Sequence, residues 1–395
     1  DSTSSRGLGD VYKRQNEAAP ILLDALKKLE YRGYDSAGIA TINNGVLERR
    51  REIGKLVNLA DKLVYQPLKG KAGIGHTRWA THGSPSVINA HPHKTGKVAV
   101  VHNGIIENFK ALRDELKSDG ASFKTETDTE TVVQLCMQFL DNGKTPIQAV
   151  ENTIARLKGA YALCFLFECD ENLLIAARKG SPLAIGHGSG EMFVGSDAIA
   201  LAPMTNKITY LEEGDYAVIT REKLEIRDIN GTVTKREMKT LTLSIQNVQK
   251  GTYKHFMAKE IAEQPSVLAN AINYNLNSAG NQVLMPNLDL DFNKINHITM
   301  VACGTAFLAC HVAKYWFEKI ARIPVELDVA SEFRYREPPV DANGLAIFVS
   351  QSGETADTLA ALRYCNQNKM NTVGIVNVDE STISREASIS VSYTH

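Results

Sequence analysis

The second half of the chain alternates short apolar runs with helical segments, and this alternation constrains the fold more than any other feature. The runs HITMVA, VELDVA, LAIFVS and NTVGIVNV lie between residues 297 and 378, and the stretch ADTLAALRYCNQNK between the last two has helical spacing. Strands buried on both faces form continuous apolar runs, and strands separated by helices pair in parallel. The sequence therefore predicts a doubly wound parallel-sheet domain at 255–391.

The first half is organised differently. Strand-like runs such as KVAVVHNGII and YALCFLF are mixed with helices that we predict at 20–29, 108–116 and 129–140. A charged, weakly apolar stretch then predicts a linker, and no helical or strand periodicity precedes residue 16. The predicted organisation is a leader at 1–15, an α+β domain at 16–222, a linker at 223–254, the parallel-sheet domain at 255–391 and a tail at 392–395.

The composition disfavours several classes of protein. The 395 residues carry a formal net charge of −1, and 43% are hydrophobic, as in ordinary globular enzymes. A near-neutral chain is not built for binding nucleic acid or anionic membranes. No apolar run reaches the roughly 18 residues of a membrane span, and the N-terminal segment lacks the order of a signal peptide. We expect a cytoplasmic protein with no nucleic-acid and no membrane partner.

The densest group of polar residues lies in GIGHTRWATHGSPSVINAHPH, followed by VVHNGIIEN and TETDTE. Its histidines are His76, His82, His91, His93 and His102. A metal site is one interpretation, although no carboxylate lies among them and no H-x-x-x-H pair lies on an evident helix. A purely structural role in loops is another. The six cysteines of the chain show no C-x-x-C spacing, which also disfavours zinc.

A third interpretation uses the neighbouring residues. The planar fork of Arg78 can grip a carboxylate, and Asp128 can pair with an ammonium group, so the two would hold the ends of an α-amino acid. Asn103 and Gly104 follow the apolar run VAVV at a predicted strand end. An amide side chain and a flexible backbone N–H are suited to an oxyanion hole for acyl transfer, while an ordinary Asn-Gly turn is the alternative.

In this order along the chain, LEYRGYDSAG, HTRWATHG, NAHPH, VHNGIIEN and ETDTE resemble the glutaminase domain of the glutamine–fructose-6-phosphate aminotransferase family. The resemblance runs from about residue 17 to the linker. It implies a type 2 glutamine amidotransferase domain with the αββα sandwich of N-terminal-nucleophile hydrolases. By motif, it implies an oxyanion hole at Asn103 and Gly104. It also implies glutamine-binding residues at Arg78, Trp79, Thr81, His82 and Asp128.

The nucleophile of that family is an N-terminal cysteine whose own α-amino group serves as the base. This sequence instead opens DSTSSRGLGDVYKRQ, and its first cysteine is Cys136, within a predicted helix. We therefore expect the catalytic cysteine and its strand Cys-Gly-Ile-Val-Gly to be absent. We also expect the segments 1–15 and 392–395 to be non-native and the chain to lack glutaminase activity.

The stretch LAIFVSQSGETADTLAALR leads from a buried strand through a hydroxyl-rich turn into a helix. Ser350, Ser352 and Thr355 can donate hydrogen bonds, Gly353 allows close approach, and the helix offers free N–H groups, as a phosphate site requires. An ordinary capped helix is the alternative. The same plan recurs after HITMVA, at Cys303, Gly304 and Thr305. Parallel pairing would place both loops at one edge of the sheet, where a single phosphosugar can contact both.

SQSGET, ACGT and ASEFRYR resemble the first sugar isomerase (SIS) domain of the same family. This implies that fructose 6-phosphate is bound by Thr305, Ser350, Gln351, Ser352 and Thr355, with Cys303 and Gly304 at the wall of that site. The resemblance implies a family whose members carry a second SIS domain, need no metal or organic cofactor, and form homodimers at full length. We expect this chain to be truncated within the first SIS domain.

Together these features predict a parent enzyme that transfers the amide nitrogen of glutamine to fructose 6-phosphate, giving glucosamine 6-phosphate and glutamate. One alternative is another type 2 glutamine amidotransferase, for instance one that aminates phosphoribosyl pyrophosphate, which would need a diphosphate-binding loop in place of SQSGET. The other is a non-catalytic module that binds a sugar phosphate.

Overall fold

The structure, a computed structural model, describes residues 2–6, 17–30, 34–80, 82–196, 198–240, 253–276, 282–283, 290–378 and 381–392. The chain divides into two compact units, residues 1–249 and 250–395. Among the residues described, no helix combines the length and the apolarity needed to cross a membrane.

The first unit contains two antiparallel sheets. Its strands are β1 Ser2–Arg6, β2 Ser36–Asn43, β3 Val46–Ile53, β4 Ala72–Arg78, β5 His93–Thr95, β6 Val98–Ile106, β7 Gly159–Phe167, β8 Asp170–Lys179, β9 Ala184–His187, β10 Met192–Gly195, β11 Lys207–Tyr210, β12 Tyr216–Ile219, β13 Leu224–Arg227, β14 Val233–Thr234 and β15 Met238–Thr240. In the described part of the unit, eight strands pair in the order β15-β11-β9-β10-β1-β4-β2-β3 and seven in the order β14-β13-β12-β8-β7-β6-β5.

Helices cover the outer faces of both sheets. The helices of this unit are α1 Ala18–Lys28, α2 Leu56–Tyr65, α3 Phe109–Ser118, α4 Asp128–Asp141, α5 Pro146–Arg156 and α6 Ala198–Leu201. Ile42 and Ile74 of one sheet share a buried cluster with Leu166 and Leu174 of the other. A second cluster joins the seven-stranded sheet to α3, α4 and α5, and a third joins β2 to α1 and α2. The predicted αββα sandwich is confirmed.

The predicted helices at 20–29, 108–116 and 129–140 correspond to α1, α3 and α4. Local sequence explains the ends of such elements. At α5, the Thr145 side chain accepts from the Gln148 N–H, the Gln148 side chain accepts from the Thr145 N–H, and Pro146 occupies the first helical position. This reciprocal capping satisfies N–H groups that the helix itself leaves unpaired.

Two segments differ from their sequence predictions. Residues 2–6, for which no strand was expected, form β1 between β4 and β10, pairing antiparallel with both. A central strand is held by backbone hydrogen bonds on both sides, so it does not require an apolar side-chain pattern. Residues 224–240, at the start of the predicted linker 223–254, form β13, β14 and β15. The first two belong to the seven-stranded sheet of the first unit and β15 belongs to its eight-stranded sheet. Of the predicted tail at 392–395, only Ser392 is described, as the last residue of a strand.

The second unit is built on a five-stranded parallel sheet, counted within its described residues. Its elements are α7 Phe256–Tyr274, β16 Ile298–Ala302, α8 Gly304–Trp316, β17 Val325–Val329, α9 Ala330–Arg336, β18 Leu345–Ser350, α10 Ala356–Gln367, β19 Asn371–Val376, α11 Thr382–Glu386 and β20 Ile389–Ser392. The strand order is β17-β16-β18-β19-β20. Apolar residues of α9, α10 and α11 pack on one face and those of α8 on the other. The predicted doubly wound parallel sheet is confirmed.

Candidate functional site

Arg78, the last residue of β4, is the buried cation of the first candidate site. Its Nη2 donates to the backbone carbonyls of His82 at 2.5 Å and Gly83 at 3.0 Å, so this arm holds the loop that follows the strand. Its Nη1 lies 3.6 Å from Asp35 Oδ1 and makes no hydrogen bond to any described residue. Burial lowers the pKa of the guanidinium, while Asp35 and Asp128 favour its charged form. A ligand carboxylate would therefore meet Nη1 rather than both arms of the fork.

Asp128 begins α4 and is buried beside β6. Its Oδ2 accepts a hydrogen bond from the Ile106 backbone N–H at 2.8 Å and lies 3.8 Å from His102 Nδ1. Its electrostatic effect on Arg78 places both charged groups in one neighbourhood. The two ends of an amino acid, a carboxylate and an ammonium group, therefore have oppositely charged counterparts in the same region.

Asn103 and Gly104 lie inside β6, not at a strand end as the sequence predicts. They pair with Ala162 and Tyr161 of β7. Gly104 has a φ of +135°, and a Cβ there would lie 2.1 Å from the carbonyl oxygen of Ala160, so only glycine fits. β6 continues through Gly104 because glycine can adopt this positive φ and still pair with β7.

The remaining residues predicted to bind glutamine follow β4 in the sequence, at positions 79, 81 and 82. The Trp79 side chain is 67% exposed. The Ala80 N–H of the same loop donates to Asp35 Oδ2 at 2.5 Å. The His82 ring meets Phe109 edge-on, with 5.0 Å between ring centroids. Thr81 lies outside the described residues.

Four of the five histidines are buried together in the interior of the first unit. The ring centroids of His76 and His91 are 4.3 Å apart, and those of His91 and His93 are 4.7 Å apart. Burial lowers the pKa of His76, His91 and His93 well below the ordinary value, and that of His102 in the same direction although Asp128 opposes the shift. In the described part of the chain, no group of three or more histidine, cysteine or acidic side chains has the arrangement of a metal site.

The second candidate site is the loop between β18 and α10. Ser350 Oγ accepts from the Gly353 N–H at 3.0 Å and lies 3.0 Å from Thr355 Oγ1, while Ser352 Oγ accepts from the Glu354 N–H at 3.2 Å. Ser350 and Ser352 accept from loop N–H groups, and the Ser350–Thr355 contact uses the hydrogen of one of those two hydroxyls. The other of the two and the Ser352 hydroxyl therefore keep a hydrogen for donation to a ligand. Thr355 is the N-cap residue of α10 but makes no side-chain capping bond, unlike the capped-helix alternative. The loop thus presents hydroxyl donors at an uncapped helix N-terminus, where an anion is favoured.

This loop is held by the segment that follows β19. Glu354 Oε1 accepts from the Thr382 N–H at 2.8 Å, and the Gly353 carbonyl accepts from the Ile383 N–H at 3.0 Å. Gly353 has a φ of +64°, and a Cβ there would lie 1.9 Å from Ser381 Oγ. The loop is therefore fixed in shape before any ligand arrives. Gln351, also predicted at this site, is exposed.

Cys303, Gly304 and Thr305 follow β16, which neighbours β18 in the sheet. Ala302 pairs in parallel with Val349, so both strands end at the same level and both loops leave the same edge. The strand order reverses direction between β16 and β18, and open α/β sheets bind ligands at such a switch point. Gly304 has a φ of +57° with open space beside its Cα. The structure thus brings the two predicted sugar-phosphate loops side by side.

The sequence predictions missed several residues of these sites. Asp35 anchors both Arg78 and the loop after it, and Thr129 contacts two of the buried histidines. Asp35 lies within the motif LEYRGYDSAG and Thr129 beside Asp128, so both were within quoted motifs. Ser381 lies far along the chain from Gly353, and no sequence pattern indicates that approach.

Comparison with known proteins identifies the family to which the two domains are similar. Residues 80–203 match the family described as "Glutamine amidotransferase domain", and residues 291–393 match "SIS domain". The chain is 56% identical over 372 residues to the glutamine–fructose-6-phosphate aminotransferase (isomerizing) of Brucella abortus, covering 94% of this chain and 61% of that protein. The protein of the same name from Mesorhizobium japonicum is 54% identical, covering 95% of this chain and 62% of the relative.

Among solved structures, a glutamine phosphoribosylpyrophosphate amidotransferase from B. subtilis matches with a TM-score of 0.52 and 17% identity, covering 95% of this chain and 81% of that chain. At that identity the likeness shows the fold alone. The chain spans about three fifths of the length of the curated relatives it matches. With its glutamine amidotransferase and SIS domains, the chain belongs to the glutamine–fructose-6-phosphate aminotransferase family.

Proposed function

We propose that the protein to which this chain belongs transfers the amide nitrogen of glutamine to fructose 6-phosphate, forming glucosamine 6-phosphate and glutamate. The observation that carries the proposal is the presence of both domains on one chain that is 56% identical to relatives of that name over 94% of its length. We further propose that it acts in the cytoplasm as a homodimer, without nucleic acid or membrane. A net charge of −1 supports the last part.

In the first unit, Arg78 Nη1 receives the carboxylate of glutamine and Asp128 its ammonium group. The Asn103 amide and the Gly104 N–H stabilise the oxyanion that forms when the side-chain amide is attacked. Asn103 is half-buried, and its side chain makes no hydrogen bond to the described residues, which leaves the amide available. Trp79 and His82 line the entrance.

The described cysteines of this unit do not supply the nucleophile. Cys136 is buried in α4, and burial raises its pKa to about 12, so its thiolate is not populated near pH 7. Cys164 is buried in β7, and Cys169 is exposed beyond the end of that strand. These described thiols therefore take no part in the proposed attack on glutamine.

In the second unit, the phosphate of fructose 6-phosphate lies against Ser350, Ser352, Thr355 and the N-terminus of α10. The sugar extends toward Thr305, with Gln351 at its side. The two acidic residues closest in sequence are already engaged: Asp357 Oδ1 pairs with Arg334 at 3.1 Å, and Glu354 holds Thr382. Their charge therefore opposes phosphate less than free carboxylates would.

Calorimetric titration of the chain with each ligand tests the proposal. The unaltered chain should bind both L-glutamine and fructose 6-phosphate. The variant Arg78→Ala should lose glutamine only, and the double variant Ser352→Ala, Thr355→Ala should lose fructose 6-phosphate only, so each variant is the folding control for the other. Unchanged fructose 6-phosphate affinity in the double variant contradicts the second site, and unchanged glutamine affinity in Arg78→Ala contradicts the first.

A further inference from the structure

Thr129 connects three stretches of the chain inside the first unit. Its side chain is buried, and its Oγ1 lies 3.0 Å from His91 Nε2, 3.0 Å from His102 Nδ1 and 3.4 Å from Asp128 Oδ1. These neighbours belong to the loop before β5, to β6 and to the start of α4. One hydroxyl therefore connects the loop before β5 to the two segments that carry Asn103, Gly104 and Asp128 of the proposed glutamine site.

The number of protons in this group restricts its arrangement. A threonine hydroxyl has one hydrogen to donate and two lone pairs that accept. If it donates to Asp128, both imidazoles must donate to it, and if it donates to one imidazole, the other must donate to it. Because burial keeps His91 and His102 neutral, each ring has a single N–H. The hydroxyl therefore selects the tautomer of at least one ring.

The same contacts fix Asp128 relative to β6. One carboxylate oxygen accepts from the Ile106 N–H at 2.8 Å, and the other lies 3.4 Å from the Thr129 hydroxyl, which is also 3.0 Å from His102 of β6. His102 directly precedes Asn103. Removing the hydroxyl would leave buried ring nitrogens and one carboxylate oxygen with fewer partners, which is costly away from water.

We propose that Thr129 is a positioning residue of the glutamine site, whose hydroxyl orients Asp128 relative to Asn103 and Gly104 by setting the tautomers of His91 and His102. The proposal rests on the proposed function of the first unit. It assigns no contact between Thr129 and the substrate, so its effect is on the geometry of the groups that make that contact.

The test compares Thr129→Val with Thr129→Ser in the full chain, with Thr131→Val as the matched control. Thr131 lies in the same helix and is equally buried, but its hydroxyl has no hydrogen-bond partner among the described residues. Calorimetry with L-glutamine should show about tenfold weaker binding for Thr129→Val, the size expected for one buried hydrogen bond, and less than about twofold change for the serine and control variants. Thr129→Ala replaces the valine variant if the latter does not fold.

A second measurement follows the histidines directly. Two-dimensional ¹⁵N–¹H spectra of chain labelled at histidine report the tautomer of each ring. Thr129→Val or Thr129→Ala should shift the ring-nitrogen signals of His91 or His102, and Thr129→Ser should restore them.

The outcomes separate the two claims. If the unaltered chain does not bind glutamine, the proposed function of the first unit fails. If it binds glutamine and the hydroxyl-less variant binds equally well, or if the ring-nitrogen signals stay in place, the positioning role of Thr129 is wrong while the glutamine site stands.

Discussion

The buried histidines predict that the first unit loses stability in mildly acidic solution. The pKa of His76, His91 and His93 lies well below the ordinary 6.5 because their rings are buried. In the unfolded chain these rings regain a pKa near 6.5, so below that pH the unfolded state binds more protons than the folded state. Stability is therefore present above pH 6.5 and falls as the pH drops toward the folded-state values.

The magnitude follows from proton linkage. A ring that stays neutral when folded costs between about 1 and 2 kcal/mol of stability at pH 5.5 and almost none at pH 7.5. Three such rings together give a loss of about 4 kcal/mol over this interval. This is a large part of the 5–15 kcal/mol that typically stabilises a domain. Carboxylates titrate mostly below pH 5.5, so the change in the free energy of unfolding between pH 5.5 and 7.5 comes mainly from histidines.

Urea unfolding at pH 7.5 and 5.5 measures the effect. The sequence contains two tryptophans, Trp79 in the first unit and Trp316 in the second, so a Trp316→Phe background makes fluorescence report on the first unit alone. His76→Leu should reduce the pH-dependent loss by about a third, whereas His255→Leu, at an exposed position of the second unit, should leave it unchanged. Equal free energies of unfolding at the two pH values would refute the reasoning, and so would an undiminished loss in His76→Leu.

Three further predictions follow from single positions. Gly353→Ala should lower the free energy of unfolding of the second unit by about 2 kcal/mol or more, because its Cβ would lie 1.9 Å from Ser381 Oγ at a φ of +64°. Urea unfolding that matches the unaltered chain would contradict this. Cys136 should resist iodoacetamide at pH 8 while the exposed Cys169 reacts, as peptide mass mapping can check, because burial raises the Cys136 pKa to about 12. Arg78→Lys should weaken L-glutamine binding about tenfold or more in calorimetry, since an ammonium group cannot hold the His82 and Gly83 carbonyls and still reach a ligand; unchanged affinity would remove Arg78 from the site.

The sheet architecture was predictable where burial leaves a clear pattern. β16 and β18 are continuous apolar runs bounded by helices, and such runs suit strands buried on both faces. Their parallel pairing then places the two hydroxyl-bearing loops at one edge, as expected before any coordinates. The position of the second candidate site thus follows from topology.

Other features depend on contacts that no local pattern shows. The sequence places Asn103 and Gly104 at a strand end because they follow the apolar run VAVV, but β7 continues the pairing through a glycine with positive φ. β1 has few apolar residues, and its place between β4 and β10 depends on backbone partners distant in the chain. β13 and β14 lie at the end of their sheet, where polar side chains are tolerated, so the charged segment that contains them looks like a linker in the sequence.

Within the first site, the sequence identifies charged groups but not how they are used. Arg78 suggests a two-armed grip on a carboxylate, yet one arm holds the backbone of its own loop. Five histidines suggest metal or loop roles, yet four of them form a buried neutral cluster around threonine hydroxyls. These arrangements arise from long-range packing, which fixes hydrogen-bond partners only after the fold has formed.

The most direct test of the central claim is a crystal structure of the chain with fructose 6-phosphate. The phosphate should lie at the edge between β16 and β18, with its oxygens within hydrogen-bonding distance of the Ser350, Ser352 and Thr355 hydroxyls and of the first N–H groups of α10. A phosphate bound elsewhere on the second unit, or an empty loop at millimolar ligand, would contradict the assignment of this loop as the sugar-phosphate site.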